Sequence, residues 1–299
     1  MTRRRLSLVA REPARPSSLG LTFVKLGGSV ITDKTTADTL RPDNLARLAG
    51  EIKTALDQAD AEGRNLAVLL GHGGGSFAHF PARQYKVRLG LQSGLPDAQA
   101  WRGYAETHAA AARLNQHVAA ACLAAGLTAV AYQPSASALA RDGQLFYLET
   151  DPLRALLQAG GLPIVYGDAI LDDMRGFTIA STEQLFVYLA RSDDLTLRPR
   201  RIILVGEVGG VFSADPLRQS DARLIPTINA ANLERVRGML GGSRGVDVTG
   251  GMLTKIVEMY ALVQSVDSLQ VQLIDGTTPG LLHRALLGEP VEGTIIRRL

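Results

Sequence analysis

A chain of 299 residues, 46% hydrophobic and 20% charged, has the make-up of a globular protein long enough to bury one large core or two smaller ones. Its formal net charge of +3 is slight, and five arginines against one acid in residues 1–20 more than account for it, so no basic face argues for nucleic acid. No apolar run approaches the ~18 residues that span a bilayer, and the single cysteine, Cys122, excludes an internal disulfide or a structural zinc site. A reducing, cytoplasmic setting is therefore the expectation, with Cys122 a small buried hydrophobe.

Residues 1–20 carry Arg3, Arg4, Arg5, Arg11 and Arg15 among Pro13, Pro16, Ser17 and Ser18, which reads as a flexible Arg-rich tail. Residues 22–26 read as a first strand running into Gly27-Gly28-Ser29. Lys25 interrupts that apolar run, a costly placement unless its ammonium emerges at the strand tip beside an anion. Lys34 falls on a loop, and residues 42–59 read as a helix with Leu45, Leu48, Ile52 and Leu56 at helical spacing.

The run 66–70 is a second buried strand, and it delivers Gly71-His72-Gly73-Gly74-Gly75-Ser76-Phe77-Ala78-His79 at its end. Three successive residues without a Cβ let backbone N–H groups approach an anion, and the helix expected to follow adds its positive end. His79 lies where its ring could reach the same anion. Residues 81–96 read as an irregular lid or acceptor-site segment, and 97–123 as a helix with His108 and His117 facing solvent or core rather than a metal.

Short strands are expected at 128–132 and 145–148, the latter at a hairpin edge, with a helix at 152–159. Residues 162–166 form a further strand ending in Gly167-Asp168, followed by a hairpin-like piece over 169–179. Ser181 is a good N-cap, with Glu183 in the first turn of the next helix. A strand at 201–205 leads into the glycine-rich stretch 206–212 and Asp215. Asp247-Val248-Thr249-Gly250-Gly251 turns into a helix that places Lys255 in its first turn, where a cation opposes the helix dipole unless an anion lies between. Residues 269–274 and 293–296 close the chain as strands.

Strands alternating with helices predict a doubly wound, mostly parallel sheet, with glycine turns after at least five strands gathered on one edge. Neither G-x-x-x-x-G-K-[ST] nor G-x-G-x-x-G is present, so the chain carries neither a P-loop nor a dinucleotide fingerprint.

The stretches 25–34 (KLGGSVITDK), 72–79 (HGGGSFAH), Thr107-His108 with Leu114-Asn115, 133–137 (QPSAS), 166–173 (YGDAILDD), 211–216 (VFSADP), 247–255 (DVTGGMLTK) and Gly293-Thr294-Ile295-Ile296 together resemble the amino acid kinase superfamily, specifically its isopentenyl phosphate kinases. The resemblance implies a three-layer αβα sandwich, with an isopentenyl phosphate lobe at 21–198, an ATP lobe at 199–299, and a homodimer. It implies transfer of a phosphoryl group from ATP to isopentenyl phosphate, with Mg2+ carried by the ATP phosphates rather than by a protein metal site. Lys25 would bridge the acceptor and transferred phosphates, Lys34 would steady the transferring group, and Glu183 would order the lysines. Gly74, His79, Gly167 and Asp168 would hold the acceptor. Gly27 and Gly28 would donate N–H groups to ATP, with Ser29, Gly75, Asp215, Gly250 and Lys255 in the same nucleotide set. Two stretches depart from the family pattern: Ser181-Thr182-Glu183 stands for Ser-Gly-Asp, and Glu207-Val208-Gly209-Gly210 for Asp-Val-Asp-Gly. A phosphonate kinase of the fosfomycin kinase type, or a nucleotide-binding storage or regulatory protein on the same fold, are the competing readings.

Overall fold

The computed structural model describes residues 19–298 except 215, 217, 218, 220 and 242–250. The tail expected over 1–20 therefore lies outside the described residues except for Leu19 and Gly20, as do Asp215 and Gly250. The chain begins with β1 (Gly20–Leu26), a single helical turn α1 (Gly28–Ile31), α2 (Pro42–Ala61), β2 (Leu66–His72) and α3 (Gly75–Gln84). A 3-10 segment (Val87–Ser93) leads to α4 (Asp97–Ala124), β3 (Ala129–Ala131), β4 (Ala138–Arg141), β5 (Gln144–Leu148) and α5 (Asp151–Gln158). Then come β6 (Leu162–Tyr166), β7 (Asp168–Asp172), β8 (Gly176–Ala180) and α6 (Thr182–Ala190). The remainder is β9 (Arg201–Gly206), β10 (Thr227–Ile228), α7 (Leu233–Gly241), α8 (Gly251–Ser265), β11 (Gln270–Asp275), α9 (Leu281–Leu286) and β12 (Thr294–Ile296).

Eight strands form one sheet in the order β10-β12-β11-β9-β1-β2-β6-β3. Every neighbouring pair in it is parallel except β11 with β12. Successive residues of the central strands serve opposite faces: Val24, Leu70, Ile203 and Val205 pack with α2, α4 and α9, whereas Phe23, Leu69, Ile202 and Leu204 pack with α5, α6 and α8. Strands covered on both sides read as unbroken apolar runs, which is why they were legible without alternation. The result is the expected three-layer αβα arrangement around a mostly parallel sheet.

A second sheet, β5-β4-β7-β8, extends the hairpin expected over 169–179 into four strands. Asp172 anchors it, with a carboxylate that accepts backbone N–H bonds from Asp142, Gly143, Met174 and Arg175. Four bonds to the charged form outweigh burial and hold the Asp172 carboxyl below the usual range.

Several local expectations required correction. Residues 81–96 are not irregular throughout: α3 continues past Pro81 to Gln84, and 87–93 coil as 3-10. Lys255 is the fifth residue of α8, in its second turn rather than its first, which weakens the dipole argument made for it. The short elements β4, β10, α7 and α9 were not foreseen. α9 depends on tertiary contact, since Glu51 of α2 accepts from the N–H groups of Gly280, Leu282 and His283 at its amino end. Cys122 is buried in the core, and burial pushes its thiol up to about 12, as befits an inert packing residue. Among the described residues no helix is long and apolar enough to cross a membrane.

Candidate active site

Because β1, β2, β6, β9 and β11 run parallel and in register, their carboxyl ends share one edge of the sheet. Gly27, Gly73, Gly167, Gly206 and Gly276 follow or end those five strands, so the glycine turns gather as the sequence predicts. Ligands of open α/β sheets bind at this edge.

The first two turns interlock through their backbones. Gly73 N–H donates to Leu26 O at 3.1 Å, and Ser76 N–H donates to Thr32 Oγ1 at 2.9 Å. A Cβ on Gly28 would lie 2.6 Å from Gly75 Cα, so the two loops approach more closely than any side chain permits. Gly75 itself has φ +51°, and a Cβ there would collide with Thr32. Glycine at 28 and 75 is thus dictated by backbone contact as well as by any ligand.

Gly27 requires a correction. Its N–H donates to Val205 O at 2.8 Å and is not available to a phosphate. The N–H groups of Gly28 and Ser29, by contrast, open α1 with no intrahelical acceptor. Gly167 N–H is likewise taken up, by His72 O at 3.2 Å.

Lys25 emerges at the tip of β1 and pairs with Glu183 at 2.5 Å, the side chains 12% and 15% exposed. Burial would raise the Glu183 carboxyl, but the neighbouring charges of Lys25 and Lys255 outweigh it and hold the group below the ordinary value of 4.5. The contribution of that pairing to stability is therefore present above pH 4.5 and disappears as pH falls through the lower folded value. Glu183 thus bonds Lys25 and lies within the electrostatic reach of Lys255, two residues far apart in sequence. α6 presents it through a capping box in which Ser181 and Gln184 exchange hydrogen bonds. Thr182, standing where the family has glycine, donates to His72 O at 2.6 Å and is accommodated because Gly71 has no side chain. A Cβ on Gly71 would sit 2.5 Å from the Thr182 methyl.

His79 is exposed on α3 with its ring beside Gly74: a Cβ there would lie 3.8 Å from His79 Cδ2. Lys34 is exposed on the turn after α1. Gly209 faces β11, where its missing Cβ would lie 2.8 Å from Asp275 Cβ; the acid absent at 209 thus has a carboxylate-bearing neighbour in Asp275.

Two residues of this edge were given no role from sequence. His72 is wholly buried, bonds Gly73 O and Asn115 Oδ1, and stacks on Tyr166 at 5.5 Å. Burial pushes its pKa below the usual imidazole value, and its carbonyl and ring tie neighbouring elements together. His108 neither packs in the core nor stands free in solvent; its Nδ1 lies 3.1 Å from the carboxylate of Asp168, beside Ser135. The hydrogen bond to Asp168 raises the His108 pKa above 6.5 against the opposing effect of burial. The pair's contribution is full below pH 6.5 and fades as pH rises through the raised folded value. Proton NMR of the full chain should show His108 titrating above 6.5, and Asp168→Asn should bring it back toward or below that figure; an unshifted His108 would contradict the pairing. Spacing gave no signal for it, since 60 residues separate the partners.

The amino acid kinase family model matches residues 20–275. The chain belongs to the amino acid kinase family. Within that family it is 36% identical over 278 residues to the isopentenyl phosphate kinase of Methanothermobacter thermautotrophicus, covering 92% of this chain and 98% of the relative. It is 31% identical to that of Methanocaldococcus jannaschii, again over 92% of this chain and 98% of the other. A solved isopentenyl phosphate kinase superposes with a TM-score of 0.75 at 33% identity, covering 92% of this chain and all of that one. The resemblance read from the sequence motifs is borne out, and the sandwich of this kinase is the family's.

Proposed function

We propose that this chain transfers the γ-phosphoryl group of ATP to isopentenyl phosphate, giving isopentenyl diphosphate and ADP. One observation carries the reading on the molecule itself: Lys25 bonds Glu183, whose carboxyl also feels the charge of Lys255, at an edge whose adjacent glycine turns carry His79. Bringing two phosphate groups together is repulsive, at roughly 4 kcal/mol per pair of unit charges about 4 Å apart with an effective dielectric near ~20. Two lysines and a row of backbone N–H groups supply the opposite charge.

An oxygen of the acceptor phosphate attacks the γ-phosphorus in line; the new O–P bond forms as the bond to the ADP oxygen breaks. No nucleophilic side chain is required, and catalysis is positioning plus charge stabilisation. The acceptor is ionised at neutral pH, so His79 serves as a hydrogen-bond donor to it rather than as a base. Lys25 spans acceptor and transferred phosphates, and Lys34 swings in from its exposed turn. Gly28, Ser29 and Gly75 line the nucleotide phosphates with Lys255, while Gly74 and Gly167 leave room for the acceptor. Residues 21–198 hold the acceptor and 199–299 the nucleotide, on one shared sheet in which β1 pairs with β9.

ATP enters as its magnesium complex. The lysines and N–H groups of the edge suit phosphate oxygens. Bound magnesium would neutralise the β- and γ-phosphate oxygens. The resemblance further supports a homodimer, and the lone buried Cys122 is compatible with a reducing cytoplasm.

The apolar acceptor tail would lie along Trp101 and Tyr104, backed by the buried ring of Phe177, the three rings meeting at 4.9 to 5.7 Å. A short polar phosphonate would leave that wall unused. A coupled ADP-release assay with isopentenyl phosphate, fosfomycin and glutamate as acceptors should show preferred turnover of the first, and His79→Ala should raise its KM at least ~10-fold, the scale of one lost charge-assisted hydrogen bond. ATP binding with no transfer to any acceptor would sink the kinase reading.

A further inference from the structure

Asp168, expected to touch the acceptor, has a side chain that is 0% exposed and fully engaged within the protein. Its carboxylate accepts from Ala169 N–H at 2.8 Å and Ser135 N–H at 3.1 Å, and the His108 Nδ1 lies 3.1 Å away. An acceptor molecule cannot reach it without breaking one of these bonds. Its partner His108 is 28% exposed, and with Nδ1 turned to a buried carboxylate the other ring nitrogen, Nε2, is the one left for a ligand. The carboxylate thereby fixes the tautomer and the aim of the imidazole.

The location is specific. Asp168 follows Gly167 directly, at the carboxyl end of β6 and on the glycine-lined edge. On α4, His108 is one turn beyond Tyr104, which is in turn three residues beyond Trp101, so the three occupy one stripe of the helix. That stripe passes from a charged pair beside Gly167 to the aromatic cluster against Phe177. A wall charged at one end and aromatic at the other matches a small amphiphile with an anionic head and a hydrocarbon tail.

Resting on the acceptor reading above, we propose that His108 binds the acceptor's anionic head through Nε2–H and that Asp168 is a positioning residue acting through His108. The pair sets which way the substrate lies, head toward Lys25 and tail along Tyr104 and Trp101. The raised pKa of His108 agrees, since it favours the doubly protonated ring.

Steady-state kinetics on the full chain test this with His108→Leu, His108→Gln, Asp168→Asn and the double variant Asp168→Asn with His108→Leu. His108→Leu should raise the KM for isopentenyl phosphate ~10- to 100-fold, leaving the KM for ATP unchanged and kcat within a few-fold. His108→Gln, which keeps an N–H donor, should recover much of that loss. Asp168→Asn should weaken acceptor binding in the wild-type background and add nothing in the His108→Leu background. A His108→Leu enzyme with acceptor KM within twofold of wild type overturns the assignment, as does an Asp168→Asn effect that persists in full without His108. The side chain of His108 is partly exposed, so its variants test the idea even if Asp168→Asn fails to fold. Absence of turnover in the wild-type chain overturns the proposed function itself, whereas turnover with an unmoved KM overturns only the role of His108.

Discussion

Lys25→Met is expected to lower kcat by about 10^3-fold or more, because in the proposed mechanism it removes the cation that meets both phosphates in the transition state. The loss is not confined to catalysis. Glu183, 15% exposed and held ionised by Lys25 and Lys255, would retain only one of its two lysines. Removing one partner of a largely buried pair leaves an undercompensated charge, and a destabilisation of about 3 kcal/mol is expected from denaturant titration. Adding Glu183→Gln to Lys25→Met should restore part of that stability while leaving activity at the low level, since the second change removes the orphaned charge but not the missing cation. A Lys25→Met enzyme that keeps more than a tenth of wild-type kcat would show that the lysine serves the fold alone.

The second large effect is expected from Gly28→Ala. The added methyl would sit 2.6 Å from Gly75 Cα and 2.7 Å from Gly75 N, so the obstacle is main chain on the facing loop and cannot rotate away. Accommodating it means prising apart the turns that follow β1 and β2, at about 2 to 4 kcal/mol of stability by analogy with overpacked cores. The displaced turns are those that the proposed function places against the phosphates, so kcat/KM should fall at least ~100-fold, in keeping with small misplacements of reacting groups. Gly50→Ala is the internal comparison. Gly50 lies within α2 with nothing within 4 Å of an added Cβ, and alanine there should be neutral or stabilise by up to ~1 kcal/mol. If both substitutions prove equally mild, the contact between the glycine turns is not what holds this edge together.

The departures from the family pattern are reconciled by neighbours rather than by sequence proximity. Thr182 fits because Gly71 yields the space, and the longer Glu183 still reaches Lys25. At Gly209 the facing Asp275 occupies the position a side chain would need. Each substitution reads as a defect in isolation and as a fit once its partner is known.

Strands β1, β2, β6, β9 and β11 were legible because a strand buried on both faces needs an apolar side chain at nearly every position, and glycines then mark its end. Lys25 stood out for the converse reason, as a charge inside such a run. Helices α2, α4 and α6 announced themselves by apolar spacing or by a capping residue. The motifs also carried the family membership, since their order and spacing over most of the chain are local properties of the sequence. Pairings across long separations were hidden: Asp168 with His108, Glu51 with the start of α9, Gly28 against Gly75, and the N–H of Gly27 drawn to Val205 O. Composition and periodicity describe what one segment prefers by itself, but hydrogen-bond partners and steric room belong to pairs of segments. Folding alone brought those pairs together, and with them decided which glycine N–H groups are taken up within the fold, which glycines the neighbouring backbone requires, and which histidine is drawn toward its protonated form.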